Sequence, residues 1–235
     1  MDFFVDFKES FYVNFIKDDR YLYLTNGLRN TLIITFFALM IGVIIGLAIA
    51  IIKTLAEQKK GITISFLNML ANLYLTVIRG TPVILQLLII NFIIFSNVNF
   101  PTILVAIIAF GINSGAYVAE IIRAGIGAVD KGQMEAGRSL GLTYSQTMRY
   151  IILPQAVKNV LPALGNESIS LLKETAVAGW IAVEDLTKGG EIIRSRTYDA
   201  FMPLIAAGLI YLAIVIMMTK GLKWLERRLR QSEYR

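Results

Sequence analysis

Cysteine and histidine are both missing from this 235-residue chain. Without them there is no disulfide framework, no thiolate nucleophile and no imidazole acid–base group, and zinc or soft-metal sites built from the usual ligands are excluded. Any catalysis would have to rest on carboxylates, Lys, Tyr or Ser. Charge is scarce as well: 17% of residues carry it, against about a quarter in an ordinary soluble domain. Apolar side chains make up 56% of the chain and mean hydropathy is +0.63, so a soluble enzyme is the wrong starting point. In so apolar a chain a net charge of +6 is read through the asymmetry of Lys and Arg across a bilayer, not as a nucleic-acid footprint.

Two uncharged runs are long enough to cross a hydrocarbon core, which takes about 20 residues. Thr31 to Ile52 holds 22 residues and is closed by Lys53; Ala200 to Thr219 holds 20 and is closed by Lys220, Lys223, Arg227, Arg228 and Arg230. The first is too long for a signal-peptide core and has no small-residue cleavage site, so it reads as an uncleaved anchor. Between residues 61 and 119 the only charge is Arg79, which leaves room for two or three spans. The positive-inside rule decides between them. Lys53, Lys59 and Lys60, then Arg123, Lys131, Arg138, Arg149 and Lys158, then the C-terminal tail, all belong in the cytoplasm, so an even number of spans separates residue 60 from residue 123. Residues 1–20, with five acids against three bases, and residues 184–199, with four against three, fit the outer side.

The expectation is an all-α integral membrane protein with one transmembrane domain of five spans, N-terminus outside and C-terminus in the cytoplasm. Its parts are an outer segment 1–25, spans at 26–53, 61–96 and 101–123, a cytoplasmic connection 124–154, a span at 155–183, an outer loop 184–199, a span at 200–222 and a tail 223–235. The second span is broken where Arg79, Gly80, Thr81 and Pro82 interrupt it, with 61–78 partly in the inner leaflet or against protein. The fourth carries Glu167, Lys173 and Glu174, cannot face lipid cheaply, and should line the interior or an aqueous path beyond a break at Pro162.

The connection 124–154 has a pattern of its own. A short helix is expected over Glu135 to Leu142, apolar along Ala136 to Leu140, with Gly137 and Gly141 at i and i+4 letting another surface approach. Thr143 and Gln146 form a capping box that opens a second helix, which Pro154 ends. Such a two-helix knuckle is either a docking piece for a soluble partner or an amphipathic element resting among headgroups.

The run Glu135-Ala136-Gly137, Gly141, Ile151 and Leu153-Pro154, with its spacing, resembles the coupling-loop signature of the permeases of binding-protein-dependent ABC importers. Gly137 stands where that family commonly has Ala. Asn30-Thr31-Leu32, Arg79-Gly80-Thr81-Pro82, Ala116 to Arg123 and Asn166-Glu167 followed by Leu171 to Thr175 resemble the subgroup that imports polar amino acids, and the likeness covers roughly residues 26–222. It implies a type I permease fold in which Glu135, Ala136, Gly137, Arg138, Gly141, Leu153 and Pro154 couple to a cytoplasmic ABC ATPase. It also implies a second permease copy or paralogue, an extracytoplasmic amino-acid-binding protein, surrounding membrane lipid and an amino-acid cargo. The chain contains no Gly-Lys dipeptide and hence no phosphate-cradling P-loop; ATP and Mg belong to the partner ATPase, no cofactor to this chain, and no covalent chemistry either.

Buried polarity marks the expected substrate path. Asn113, Ser114 and Tyr117 on span three either touch cargo or hydrogen-bond between helices. Glu167 and Lys173 on span four either meet the two ends of a zwitterion or form a gate-closing pair between subunits. Gln86 and Asn91 on span two add contacts to the path or to helix packing. Glu120 is read as the salt-bridge partner of Arg123 or Arg79, and Arg79 beside Pro82 as a latch or a snorkelling cation. The acidic bias of these groups favours a cationic cargo weakly. Phe3, Phe4, Phe7, Phe11, Tyr12 and Phe15 among charges read as an amphipathic helix on the outer surface. Two rivals remain: an ion-coupled carrier using Glu120 and Glu167, and an ABC permease for a sugar, metal or peptide.

Overall fold

The computed structural model describes residues 2–58 and 61–231, with side chains for 7–58 and 61–229. Lys59, Lys60, residues 232–235 and the side chains of Phe3 and Phe4, which figure in the sequence reading, lie outside the described residues. Among the described residues every regular element is a helix: α1 (Asp2–Phe11), α2 (Tyr21–Gln58), α3 (Ile62–Gly80), α4 (Val83–Ile89), α5 (Thr102–Gly127), α6 (Lys131–Ser139), α7 (Tyr144–Thr147), α8 (Leu153–Glu174), α9 (Leu186–Thr197) and α10 (Phe201–Gln231). Single π turns at Tyr12–Ile16, Ile90–Ile94 and Met148–Ile152 extend α1 and α4 and join α7 to α8. Four helices among the described residues, α2, α3, α5 and α10, are long and apolar enough to cross a membrane. With 22 residues α8 has the length, but its charged, amide and proline residues leave it too polar for that group.

The framework is α2 against α5. A Cβ on Gly46 would lie 2.6 Å from Val118 Cγ1, and one on Gly42 3.0 Å from Ser114, so the two backbones approach as small-residue faces do in membranes. The pairs rise together in number, which makes α2 and α5 parallel. The chain between them therefore returns to the end from which α2 starts, in agreement with the even number of spans counted from charge. On its return α4 runs antiparallel to α5, with Gln86 opposite Asn113 and Phe95 stacked on Phe100 at 5.1 Å. Antiparallel to α5 as well, α8 brings Val160 to Gly125 and Glu167 to Ser114. Ile34, Leu87, Val105, Phe110, Leu171 and Ile181 fill the core where these helices meet.

The break in the second element falls where expected. Thr81 and Pro82 are extended, with ψ of 149° and 135°, because proline lacks an N–H and keeps its predecessor out of the α region. Gln86 repairs the damage: its Nε2 donates to Ile78 O at 2.8 Å, Thr81 O at 3.1 Å and Thr81 Oγ1 at 2.7 Å. Carbonyls freed by the break thus find one side-chain donor.

Three expectations need correction. Pro154 does not end the second helix of the 124–154 connection. The wider π turn at Met148–Ile152 makes room for its ring, and α8 continues beyond it. Nor does Pro162 break α8, which runs from Leu153 to Glu174, held on either side by Val160 against Gly125 and Leu222 against Gly165. Residues 184–199, expected as a loop, are largely the helix α9, whose Leu186 and Ile193 are fully buried with Phe15, Leu24 and Ala207. Its start is stitched to the first turns of α2, Asn30 Nδ2 donating to Glu184 O at 2.9 Å and the Leu186 amide to Thr31 Oγ1 at 3.1 Å. Asn14, buried, donates to Asp199 Oδ2 at 2.7 Å and ties the N-terminal segment to the same corner, with Phe7, Phe11 and Tyr12 exposed.

Candidate functional site

Four of the residues expected along a substrate path come together where α4, α5 and α8 meet. Asn113 and Ser114 are buried on α5. Asn113 Nδ2 donates to Gln86 Oε1 at 2.9 Å, and Ser114 Oγ donates to Glu167 Oε1 at 2.8 Å. A seam of polar groups therefore runs from the break at Thr81 through Gln86 and Asn113, and lies one residue along α5 from the Ser114–Glu167 pair. Glu167 is half-buried, so one carboxylate oxygen is engaged and the other is available to a cation or an N–H donor.

Lys173 does not join this group. It lies six residues beyond Glu167, about 120° away round the helix and about 9 Å along it, and is exposed; one zwitterion held between the two on a single helix is not what this spacing builds. Glu174, at i+7, shares the face of Glu167 instead and is half-buried. That spacing was present in the sequence and was the signal to follow. Asn91 is half-buried in the π turn at Ile90–Ile94 and stands outside the seam.

Toward the other end of α5 lies a chain of charges. Arg79 pairs with Glu120 at 3.7 Å, Glu120 with Arg123 at 3.5 Å, and Arg123 with Glu57 of α2 at 3.9 Å. Glu120 thus uses both of its expected partners. Arg79 also lies over the Tyr117 ring, 5.9 Å from its centroid, which ties Tyr117 to the ion pairs. Each pair is more than a third exposed and adds little stability alone; what the chain does is join α2, α3 and α5 beside the helix break. A cavity of about 600 Å³ opens next to it, lined by Glu57, Glu120, Arg123, Tyr144 and Met148 among others.

The 124–154 connection folds as a small two-helix unit. Asp130 caps α6, its carboxylate accepting from the Gly132 amide at 2.7 Å, and Thr143 with Gln146 forms the expected capping box of α7. Gly137 faces inward, where a Cβ would meet Thr147 Cγ2 at 2.5 Å, and Gly141 turns the chain at φ +85° with open space around it. The two glycines therefore do not make one outward face: Gly137 closes the unit on itself and Gly141 permits its turn. What faces outward is Glu135, Ala136, Arg138 and Leu140, the last 82% exposed. Leu153 is exposed and Pro154 sits in the first turn of α8. Burial first, then the Glu57 carboxylate, pushes the Tyr144 hydroxyl pKa upward, offset by a hydrogen bond with Gln58. The unit is thus in touch with the end of α2.

Asp185 is the residue that sequence reasoning passed over. Fully buried at the start of α9, it accepts from the Lys188 amide at 2.6 Å and the Gly179 amide at 3.2 Å. Burial pushes its carboxyl up to about 6 despite those bonds. The Asp-Leu-Thr-Lys start of a helix was legible as an N-cap, but a charge count of the segment reads it only as one more outer acid.

Comparison with known proteins agrees with this architecture. The chain is 37% identical over 210 residues to the putative glutamine transport system permease protein GlnP of Rickettsia bellii, covering 88% of this chain and 93% of that one. It is 39% identical over 213 residues to the arginine transport system permease protein ArtQ of Bacillus subtilis, covering 90% and 94%. A crystal structure of an amino acid ABC transporter with histidines superimposes with a TM-score of 0.82 at 47% identity, over 88% of this chain and 94% of that one. The MetNI methionine ABC transporter, in inward-facing conformations, shares the fold at a TM-score of 0.76 and 20% identity, over 91% and 99%. Residues 61–231 match the family described as the binding-protein-dependent transport system inner membrane component, a stretch holding the broken second element, the polar seam and the 124–154 unit, and it is to this family of ABC transporter permeases that the chain belongs.

Proposed function

We propose that this chain is the membrane subunit through which an ATP-driven importer takes polar amino acids across the cell membrane, with basic side chains the favoured cargo. It works as a dimer with a second permease copy or paralogue. A separate cytoplasmic ATPase that carries the ATP and Mg energises it, and an extracytoplasmic amino-acid-binding protein feeds it. In this reading α8 is the fourth of five spans, the N-terminus lies outside and the C-terminus in the cytoplasm. The parallel packing of α2 and α5 supports that count, because each extra crossing between them would have reversed one against the other.

The observation that carries the reading is the 124–154 unit. It places Ala136 and Leu140 in the open beside Glu135 and Arg138, while Thr147 and Gly137 lock it internally. An exposed apolar edge flanked by charges on a rigid two-helix piece suits a groove on a soluble partner. Joined directly to α5 and α8, the unit passes a displacement to the two helices that hold Ser114 and Glu167. Cargo selectivity belongs to the seam of Gln86, Asn113, Ser114 and Glu167, whose free carboxylate oxygen suits a cationic or N–H-donating side chain.

Uptake of radiolabelled arginine, histidine and glutamine into vesicles holding this chain, with and without the ATPase and internal ATP, tests it. Uptake that needs both ATPase and ATP is the expected result. Uptake by the chain alone, driven by an ion gradient, overturns the reading in favour of a secondary carrier.

A further inference from the structure

The last turns of α10 carry a pattern that the transport reading does not use. From Lys220 to Arg230 there are five Lys or Arg residues and one acid, Glu226. At 100° per residue, Lys220, Lys223 and Arg227 share one face, with Trp224 and Arg228 beside them. Leu222 points the opposite way and is buried against Gly165 of α8, where a Cβ would collide with its Cδ1. The face that packs on protein and the face that carries charge are therefore on opposite sides of one helix. Lys220, Lys223, Trp224, Arg227 and Arg228 are all exposed, and among the described residues none of the four cations forms an ion pair. Trp224, 60% exposed, has the Arg228 guanidinium 5.2 Å from its ring centroid.

We propose that this stripe is a binding site for the phosphate headgroups of anionic phospholipids in the inner leaflet. It rests on the orientation proposed above, which puts the end of α10 in the cytoplasm. Three features select lipid over an acidic protein surface. The stripe begins at the residue where the uncharged Ala200–Thr219 run stops, so its cations stand at headgroup level. Trp224 adds an amphipathic ring at the same level, as interfacial aromatics do. The stripe also continues the outward surface of α10, where Leu209, Leu212, Ile216 and Met217 are exposed. A bound headgroup holds the end of α10 with Leu222 against Gly165, two residues before Glu167, so lipid composition bears on the helix that carries the substrate-path carboxylate.

The chain has two tryptophans, and the variant Trp180→Phe leaves Trp224 as the only one. This full-length variant, in vesicles of phosphatidylcholine and phosphatidylglycerol, is titrated with brominated forms of each lipid and its fluorescence quenching followed. The expected result is a preference of about fivefold or more for the brominated phosphatidylglycerol, falling toward none when Lys223→Gln, Arg227→Gln and Arg228→Gln are added. Trp224→Phe, which reports from Trp180 instead, should show no preference and the same overall yield of folded protein. Equal quenching by the two lipids at Trp224 overturns the proposal. So does an unchanged preference in the triple variant accompanied by loss of ATPase retention, which assigns the face to the partner protein. Because such vesicles have the same lipids in both leaflets, the quenching ratio does not depend on orientation. A Gln231→Cys variant, the only cysteine in the chain, reads orientation separately through an impermeant maleimide on oriented cells.

Discussion

Asp185→Asn separates burial from capping at the corner where α9 meets α2. In the folded chain the Asp185 carboxyl is pushed up from 3.8 to about 6, burial outweighing the amides of Lys188, Gly179 and Thr187 that favour its charge. A carboxyl raised by that much binds its proton about 3 kcal/mol more tightly folded than unfolded. Between about pH 4 and pH 6 the folded chain holds a proton that the unfolded chain has released. The stabilisation from protonated Asp185 is accordingly complete below about pH 4 and lost as pH rises through 6. Asn cannot titrate, and its Oδ1 still accepts from the Lys188 amide. The stability difference between Asp185→Asn and the parent should therefore shift in the variant's favour by about 2–2.5 kcal/mol from pH 4 to pH 7, or about 4–10 °C in thermal midpoint for a chain of this size. Thermal unfolding of both proteins in the same detergent, followed by size-exclusion fluorescence across that range, measures it. Two curves that stay parallel from pH 4 to pH 7 would show that Asp185 does not titrate in this window and would refute the reasoning.

Four further perturbations bear on the site. Gly137→Ala, which restores the residue common in the family, drives a methyl onto Thr147 and should cost about 1–3 kcal/mol, with Thr147→Ser relieving part of it; a Gly137→Ala protein as heat-stable as its parent contradicts the inward placement of Gly137. Gln86→Leu removes the donor shared by Ile78 O and Thr81 O and, through the part-buried Ile78 carbonyl left unpaired, should destabilise by about 1–3 kcal/mol, more than Asn91→Leu does in the same denaturation assay. Glu167→Gln keeps an acceptor for Ser114 and so should leave the thermal midpoint in place while raising the KM for arginine more than for glutamine; an unchanged uptake profile makes Glu167 a packing residue. Glu135→Arg, on the open face of α6, should let the chain insert normally yet separate ATP hydrolysis from uptake, and coupled uptake at the parental rate removes Glu135 from the docking surface.

Charge bookkeeping yields an even number of crossings between residues 60 and 123 because Lys and Arg cluster at residues 53–60 and 123–158, and the parallel packing of α2 and α5 is compatible with it. It also located the helix break, since Arg79-Gly80-Thr81-Pro82 contains both a residue that cannot donate and one that cannot stay helical before it. The same bookkeeping missed α9, where Leu186, Gly189, Gly190 and Ile193 supply a helical face that a count of acids ignores. Pro154 and Pro162 were read as stops on intrinsic preference alone; a π turn and tight packing on both flanks outweigh that preference. The Ser114–Glu167 bond joins residues 53 positions apart, and nothing local in either segment announces it. Lys173, by contrast, was grouped with Glu167 by nearness in sequence, though helical geometry already turned it away.

The π turn at Met148–Ile152 has a mechanical consequence. It holds one more residue than an α turn, and it sits at the only joint between the 124–154 unit and α8. If that surplus residue were absorbed into regular helix, everything beyond it would turn by about 100° and advance by about 1.5 Å relative to the unit. The joint is thus the place where the register of α8 against the 124–154 unit is set, and with it the direction faced by Glu167 and Glu174.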